Sequence, residues 1–205
     1  MFKMTKIWTG VLVALLLLTS VVAGSSREAS QNKPPRKKTN LTSADRQAWR
    51  KILKWPQDCD DAFGNHGEDD AGLWFNQLAA RKFLVVVQCE VAAYQSVMLY
   101  FLYDETVSPA KSKPLTFKSY SGATEDSMKE MEEDSLLGTS TFDDQRKTLT
   151  VIYRLSRLGN CGTVATYSFQ SGAPVLTDFR AKFTCDGEGA EDGSDWKRIM
   201  PRRNK

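Results

Sequence analysis

Four cysteines, one histidine and two groups of carboxylates are the residues whose types could carry chemistry in this chain. Cys59, Cys89, Cys161 and Cys185 are separated by 30, 72 and 24 residues. A zinc site would want a close C-x-x-C pair, which the sequence lacks, so the spacing points to disulfides and to no metal. His66 sits in a Gly/Asn/Asp-rich loop. Serine–histidine catalysis would have to use it, yet no Gly-x-Ser-x-Gly elbow accompanies it. A phosphate-cradling glycine loop is absent too. His66 therefore reads as a surface residue.

Carboxylate pairs leave no local signature, so the acids need separate thought. One group is Asp58, Asp60, Asp61, Glu68, Asp69 and Asp70. The other is Asp186, Glu188, Glu191, Asp192 and Asp195. A calcium loop starting at Asp186 would need an oxygen ligand where Ala190 stands. Both groups read as solvated loops ahead of calcium, and calcium ahead of acid–base catalysis. The expectation is no catalytic residue, no cofactor and no metal ligand.

The elements that must position these residues begin after an export signal. Lys3 and Lys6 precede an apolar run from Ile7 to Ala23, and Val21-Val22-Ala23 has the small residues a signal peptidase accepts. The run is slightly short for a bilayer-spanning helix, so residues 1–23 read as a cleavable signal and not as a stable membrane anchor. Residues 24–41 are rich in Ser, Lys and Pro and read as a disordered basic spacer. A single domain is expected over 42–200, with a basic tail at 201–205. Residues 42–195 carry a net charge of −8 between basic ends. Such an acidic body is a poor partner for nucleic acid.

Within the domain, Ser43 reads as the cap of a helix over Ala44 to Trp55, ended by Pro56. Ala48, Trp49, Ile52 and Leu53 share its apolar face, with Arg46, Arg50, Lys51 and Lys54 largely elsewhere. Phe83 to Cys89 is a continuous β-branched run and reads as a buried strand. Ser96 to Tyr103, Leu115 to Tyr120, Leu136-Leu137, Thr148 to Tyr153, Val164 to Phe169 and Val175 to Cys185 add further strands. Thr124 to Asp134 reads as a short acidic helix whose Met128 and Met131 rest on the sheet. The fold class is mainly β: an antiparallel meander forming a sandwich or partly closed barrel, with an N-terminal helix and that acidic helix.

The last hairpin predicts the disulfides. Gln170 to Pro174 is a turn signal, and folding about residue 173 opposes Tyr167 to Phe179 and Cys161 to Cys185. Opposed residues approach closely enough for a disulfide. A Cys161–Cys185 bridge leaves Cys59 for Cys89.

Gly159-Asn160-Cys161-Gly162, the aromatic strand and its return, then Cys185-Asp186-Gly187 and Trp196, resemble a bacterial exported family of unknown function, number eleven seventy-six. Phe142-Asp143 before Leu149, and Gln88-Cys89 followed by Ala93-Tyr94, are similar to the same pattern over roughly residues 44–200. Family members commonly have Asp where this chain has Asn160. The resemblance implies a periplasmic or secreted β-rich domain and supplies no activity.

Export, stapled strands and the lack of a catalytic motif favour a non-catalytic binding or interaction module of the bacterial envelope. Its expected partner is an envelope protein or glycan, met through aromatics such as Trp74, Tyr94, Tyr100 and Tyr103. An inhibitor of a wall-degrading enzyme such as lysozyme is the alternative. Its acidic body would suit a basic target, and Tyr120-Ser121-Gly122 is faintly like the loop such inhibitors present. A carboxylate-pair glycan hydrolase is the third reading.

Overall fold

The computed structural model describes residues 41–64, 71–91 and 95–200. The signal, the spacer as far as residue 40, His66, Glu68, Asp69, Asp70, Tyr94 and the tail 201–205 lie outside the described residues.

Two helices open the fold. Helix α1, Ser43–Leu53, starts one residue earlier than the sequence suggests: Thr42 is the cap, joined to Asp45 in a reciprocal capping box. Thr42 wins because Asp45 lies three residues on and can return a bond to the cap amide, which Ser43 cannot arrange with Arg46. Lys54, in the left-handed region, ends the helix before Pro56. Helix α2, Gln57–Phe63, carries Cys59.

Eleven strands follow: β1 Leu73–Ala79, β2 Lys82–Val91, β3 Ser96–Asp104, β4 Lys111–Pro114, β5 Phe117–Ser121, β6 Lys129–Glu133, β7 Ser135–Asp143, β8 Thr148–Arg154, β9 Gly162–Ser168, β10 Val175–Lys182 and β11 Lys197–Met200. The large antiparallel sheet runs β1-β2-β3-β7-β8-β9-β10-β11, with β4 also on β3, and it does not close into a barrel. Strands β5 and β6 form a separate ribbon.

The continuous apolar run of β2 is explained by burial on both faces. Leu84 and Val86 join one core with Tyr100, Phe117, Leu149, Tyr167 and Phe179. Val85 and Val87 join a second core with Trp49, Leu53, Trp55, Phe101 and Tyr103. The helices thus cover one face of the sheet and the ribbon covers the other. Period-two alternation vanishes from a strand when both sides are dry.

Four expectations need correction. Residues 124–134 are not a helix: a turn closed by Thr124 and Ser127 leads into β6, paired with β5 from Ser121↔Lys129 to Phe117↔Glu133. Glu, Lys and Met favour helix in isolation, but cross-strand pairing and the burial of Met128 override that weak preference. Met131 does not rest on the sheet but is exposed. Arg46 is not on the solvent side; it is 3% exposed. Within the expected domain, Lys197–Met200 forms the edge strand β11, where Arg198 pairs with Asp178 and Lys197 with Asp126, and this needs no correction.

The fourth correction concerns the last hairpin, whose register differs from folding about residue 173. Tyr167 faces Leu176, and Ala165 faces Phe179. An irregularity between Leu176 and Asp178 turns Leu176 inward and leaves Val175 half exposed. One extra residue at a bulge reverses which side chains face the core. The Cys161–Cys185 disulfide forms all the same, just past the end of the ladder, with Cα atoms 5.1 Å apart. Cys59–Cys89 forms as well, Cα atoms 4.4 Å apart, tying α2 to β2.

Replacing Cys161 and Cys185 together by serine is expected to cost about 3.5 kcal/mol, the chain-entropy value for a loop of roughly 25 residues. Urea unfolding of the double variant beside the parent checks it. A loss under about 1 kcal/mol would show that the Gly187 loop is held without the bond.

Candidate functional site

The β5–β6 ribbon lies across one face of the sheet and is pinned at three places. Phe117, fully buried, sits edge-on to Tyr100 at 5.0 Å and Tyr167 at 4.9 Å. The Tyr167 hydroxyl donates to the Lys118 carbonyl at 3.1 Å. Beyond Gly122, the Phe183 amide donates to the Glu125 carboxylate at 2.8 Å. Gly122 is needed here because a Cβ would come within 2.9 Å of the Met128 backbone.

Between ribbon and sheet lies a half-open cavity of about 370 Å³. Met128, Leu136, Val151, Ala165 and Phe179 form apolar walls, and Tyr120, Tyr153 and Phe183 add half-buried rings. Leu137 and Leu155, both exposed, also belong to the lining. Polar groups converge at one end, from Ser119, Glu133 and Tyr167. Register explains the meeting. Glu133 stands opposite Phe117, so it leaves the ribbon on the face that carries Ser119 two residues on. Burial pushes the Glu133 carboxyl above the usual carboxylate range, and a hydrogen bond from Ser119 only partly offsets it. Burial also raises the Tyr167 hydroxyl, and the nearby Glu133 charge adds to it.

A wider depression of about 710 Å³ lies where the end of α1 meets β3 and β4, with Ile52, Lys54, Pro56, Phe101, Lys111 and Asp134 in its lining. Its borders mix charges of both signs with apolar surface, and no group of polar side chains converges there.

Six of the acids singled out in the sequence, Asp58, Asp60, Asp61, Asp186, Asp192 and Asp195, are occupied elsewhere. Asp60 accepts from Arg46 and from Trp55 Nε1, and it pairs with Arg50 at 3.2 Å. Asp58 accepts from the Cys59 amide, and Asp61 from Gln57. Asp186 is held below the usual carboxylate range by Lys182 and then by the Glu188 amide. Asp195 accepts from the Ala190 amide, and Asp192 from Ser194. Among the described residues no three His, Cys, Asp or Glu are grouped to hold a metal ion. No helix among them is long and apolar enough to cross a membrane.

Of the aromatics expected at the surface, Trp74 is 45% exposed, whereas Tyr100 and Tyr103 are buried. They are buried because both faces of β3 are covered, Tyr100 facing one core and Tyr103 the other. Tyr120, Ser121 and Gly122 do enter the candidate site, as part of the cavity lining. Glu133 was missed, since one acid in the run Glu130 to Asp134 has no distinguishing neighbour in sequence; only the pairing register separates it from Glu130 and Glu132.

No curated protein and no solved structure matches the chain. A family profile does, over residues 20–203, and it takes in both disulfides, the ribbon and the whole cavity lining. The chain belongs to that family, described as "Protein of unknown function (DUF1176)".

Proposed function

We propose that the chain is an exported, non-catalytic binding module of the bacterial cell envelope whose ligand sits between the β5–β6 ribbon and the sheet. The observation that carries this reading is the cavity: about 370 Å³, largely apolar, with a few polar groups converging at one end. Ligand sites have this character and this range of size. Among the described residues Glu133 is the one carboxylate of the lining, so none of them sets a second acid in the cavity for glycoside hydrolysis. Two disulfides and the N-terminal signal favour a periplasmic or secreted address.

The test is thermal unfolding of the disulfide-intact protein against wall fragments, glycans, calcium and lysozyme, beside an Ala165→Leu variant that fills part of the cavity. A bound ligand at one hundred times its Kd adds about 2.7 kcal/mol, roughly 5–11 °C for a domain of this size. A shift of that order in the parent, reduced in Ala165→Leu, is the expected result. Turnover of a glycan, abolished by Glu133→Gln, would replace binding with catalysis. Inhibition of lysozyme at micromolar protein, undiminished in Ala165→Leu, would favour the inhibitor reading and move the site elsewhere.

A further inference from the structure

We propose that the cavity selects a small ammonium-bearing molecule, a protonated amine on a short apolar body, with Glu133 as its counter-ion. The inference rests on reading the cavity as a binding site and goes on to name the chemistry it takes.

Charge comes first. Among the described residues Glu133 is the sole charged side chain of the lining, and none of the lining residues is Lys, Arg or His. Of the nearby cations, Lys118 pairs with Glu130 at 2.8 Å and Lys197 with Asp126 at 2.7 Å, while Lys129, four residues before Glu133, is exposed and outside the lining. Burial raises the Glu133 carboxyl above its usual range and the Ser119 hydrogen bond opposes it, with no cation among the causes. An anionic ligand would meet this carboxylate unscreened. A neutral one would dehydrate it further with only the Ser119 hydrogen bond in compensation, and burial of a charge is penalised. An ammonium group instead supplies the missing partner and a charge-assisted hydrogen bond.

The rings are a second and independent argument. Tyr120, Tyr153, Tyr167, Phe179 and Phe183 all line the same small space. Ring faces attract ammonium groups, and more strongly where water is displaced. The remaining walls, from Met128 to Ala165, suit a short hydrocarbon body, and a volume of about 370 Å³ limits its size. Residues 42–200, β11 included, carry a net charge of −6, which favours the approach of cations over anions.

Isothermal titration with octylamine, octanol and octanoate at about pH 8 tests the assignment, since Glu is then ionised and an alkylamine protonated. The disulfide-intact protein is used, with each probe below its aggregation threshold. Octylamine should bind about tenfold more tightly than octanol, and octanoate least. In Glu133→Gln that preference should collapse, with octanol affinity kept within about threefold as the sign that the cavity remains folded. Glu130→Gln, an exposed carboxylate already paired with Lys118, should leave the preference intact. Octanol binding as tightly as octylamine, or a preference surviving in Glu133→Gln, would overturn the ammonium assignment and leave the cavity a binding site. Binding of none of the three would overturn both.

Discussion

Replacing Arg46 by methionine is expected to destabilise the domain by about 3–5 kcal/mol, the cost of stranding one member of a buried ion pair. The guanidinium is almost wholly enclosed. Its Nε donates to Asp60 at 2.8 Å, its Nη1 to the Ala71 carbonyl at 2.9 Å, and its Nη2 reaches Cys59 Sγ at 3.8 Å. The same group lies 4.1 Å from the Phe63 ring and 5.2 Å from that of Trp55. One side chain thus links α1, α2, the Cys59–Cys89 disulfide and the start of β1. Methionine would keep much of the apolar volume but leave Asp60, 8% exposed, with only Arg50 and Trp55. Urea unfolding of Arg46→Met should show a midpoint shift of the predicted size without a change of slope. An Arg46→Met, Asp60→Leu double variant should recover much of the loss, because removing both partners also removes their dehydration. A single-variant loss under about 1 kcal/mol would show that packing alone holds the helices to the sheet.

Arg46 also marks where sequence reading stops. An arginine one turn before Trp49 in a helix with Arg50 and Lys51 is written like a solvated face. Its burial depends on Asp60, fourteen residues away, and Ala71, twenty-five away. Elements defined by local pattern were legible: the β2 run, the capped first helix to within two residues at its ends, and the strands of the hairpin ending at Cys185. The Cys161–Cys185 disulfide was legible because a two-residue shift of register keeps the same parity at that end of the hairpin, and Cys59–Cys89 followed by elimination. The register itself was not, since the bulge near Thr177 leaves no mark in the alternation of residue types. The acidic stretch after Thr124 failed for another reason. Its composition favours helix, and only pairing with a strand whose own neighbours are distant decides otherwise.

The cavity is the extreme case of that limit. Ser119, Glu133, Tyr153, Tyr167 and Phe179 come from five strands, and no two of them form a motif. The aromatics there look like ordinary core residues, and most of them are. Glu133 differs from its acidic neighbours by facing the sheet, a property of register and not of type. Composition could suggest a binding module through what it lacks. It could not place the site, because the site exists only once the ribbon has folded over the sheet.

That dependence makes Phe117 the residue on which stability and site should fail together. Phe117→Ala is expected to cost about 3–5 kcal/mol, the usual range for emptying a fully buried aromatic position. The ring is fully buried among Tyr100, Tyr167 and Phe169, the last with its centroid 6.5 Å away. Its loss removes the most buried apolar contact of the ribbon, leaving the Tyr120–Phe179 ring contact at 5.3 Å, the packing of Met128, the Tyr167–Lys118 and Phe183–Glu125 hydrogen bonds and the Lys197–Asp126 pair to hold it. Those polar links are partly exposed and worth little each. The ribbon should therefore loosen before the sheet does. Hydrogen exchange should show lost protection in β5 and β6 ahead of β2 and β3, whose two-sided burial is untouched. Octylamine affinity should fall with that protection, since Ser119 and Glu133 ride on the same ribbon. Ser119→Ala separates the two effects: it removes a cavity hydroxyl without disturbing Phe117, so it should alter binding with little change in exchange. If Phe117→Ala lost protection uniformly across the sheet, the ribbon would be an integral part of one core. If it lost less than about 1 kcal/mol, the ring would not be what seats the ribbon.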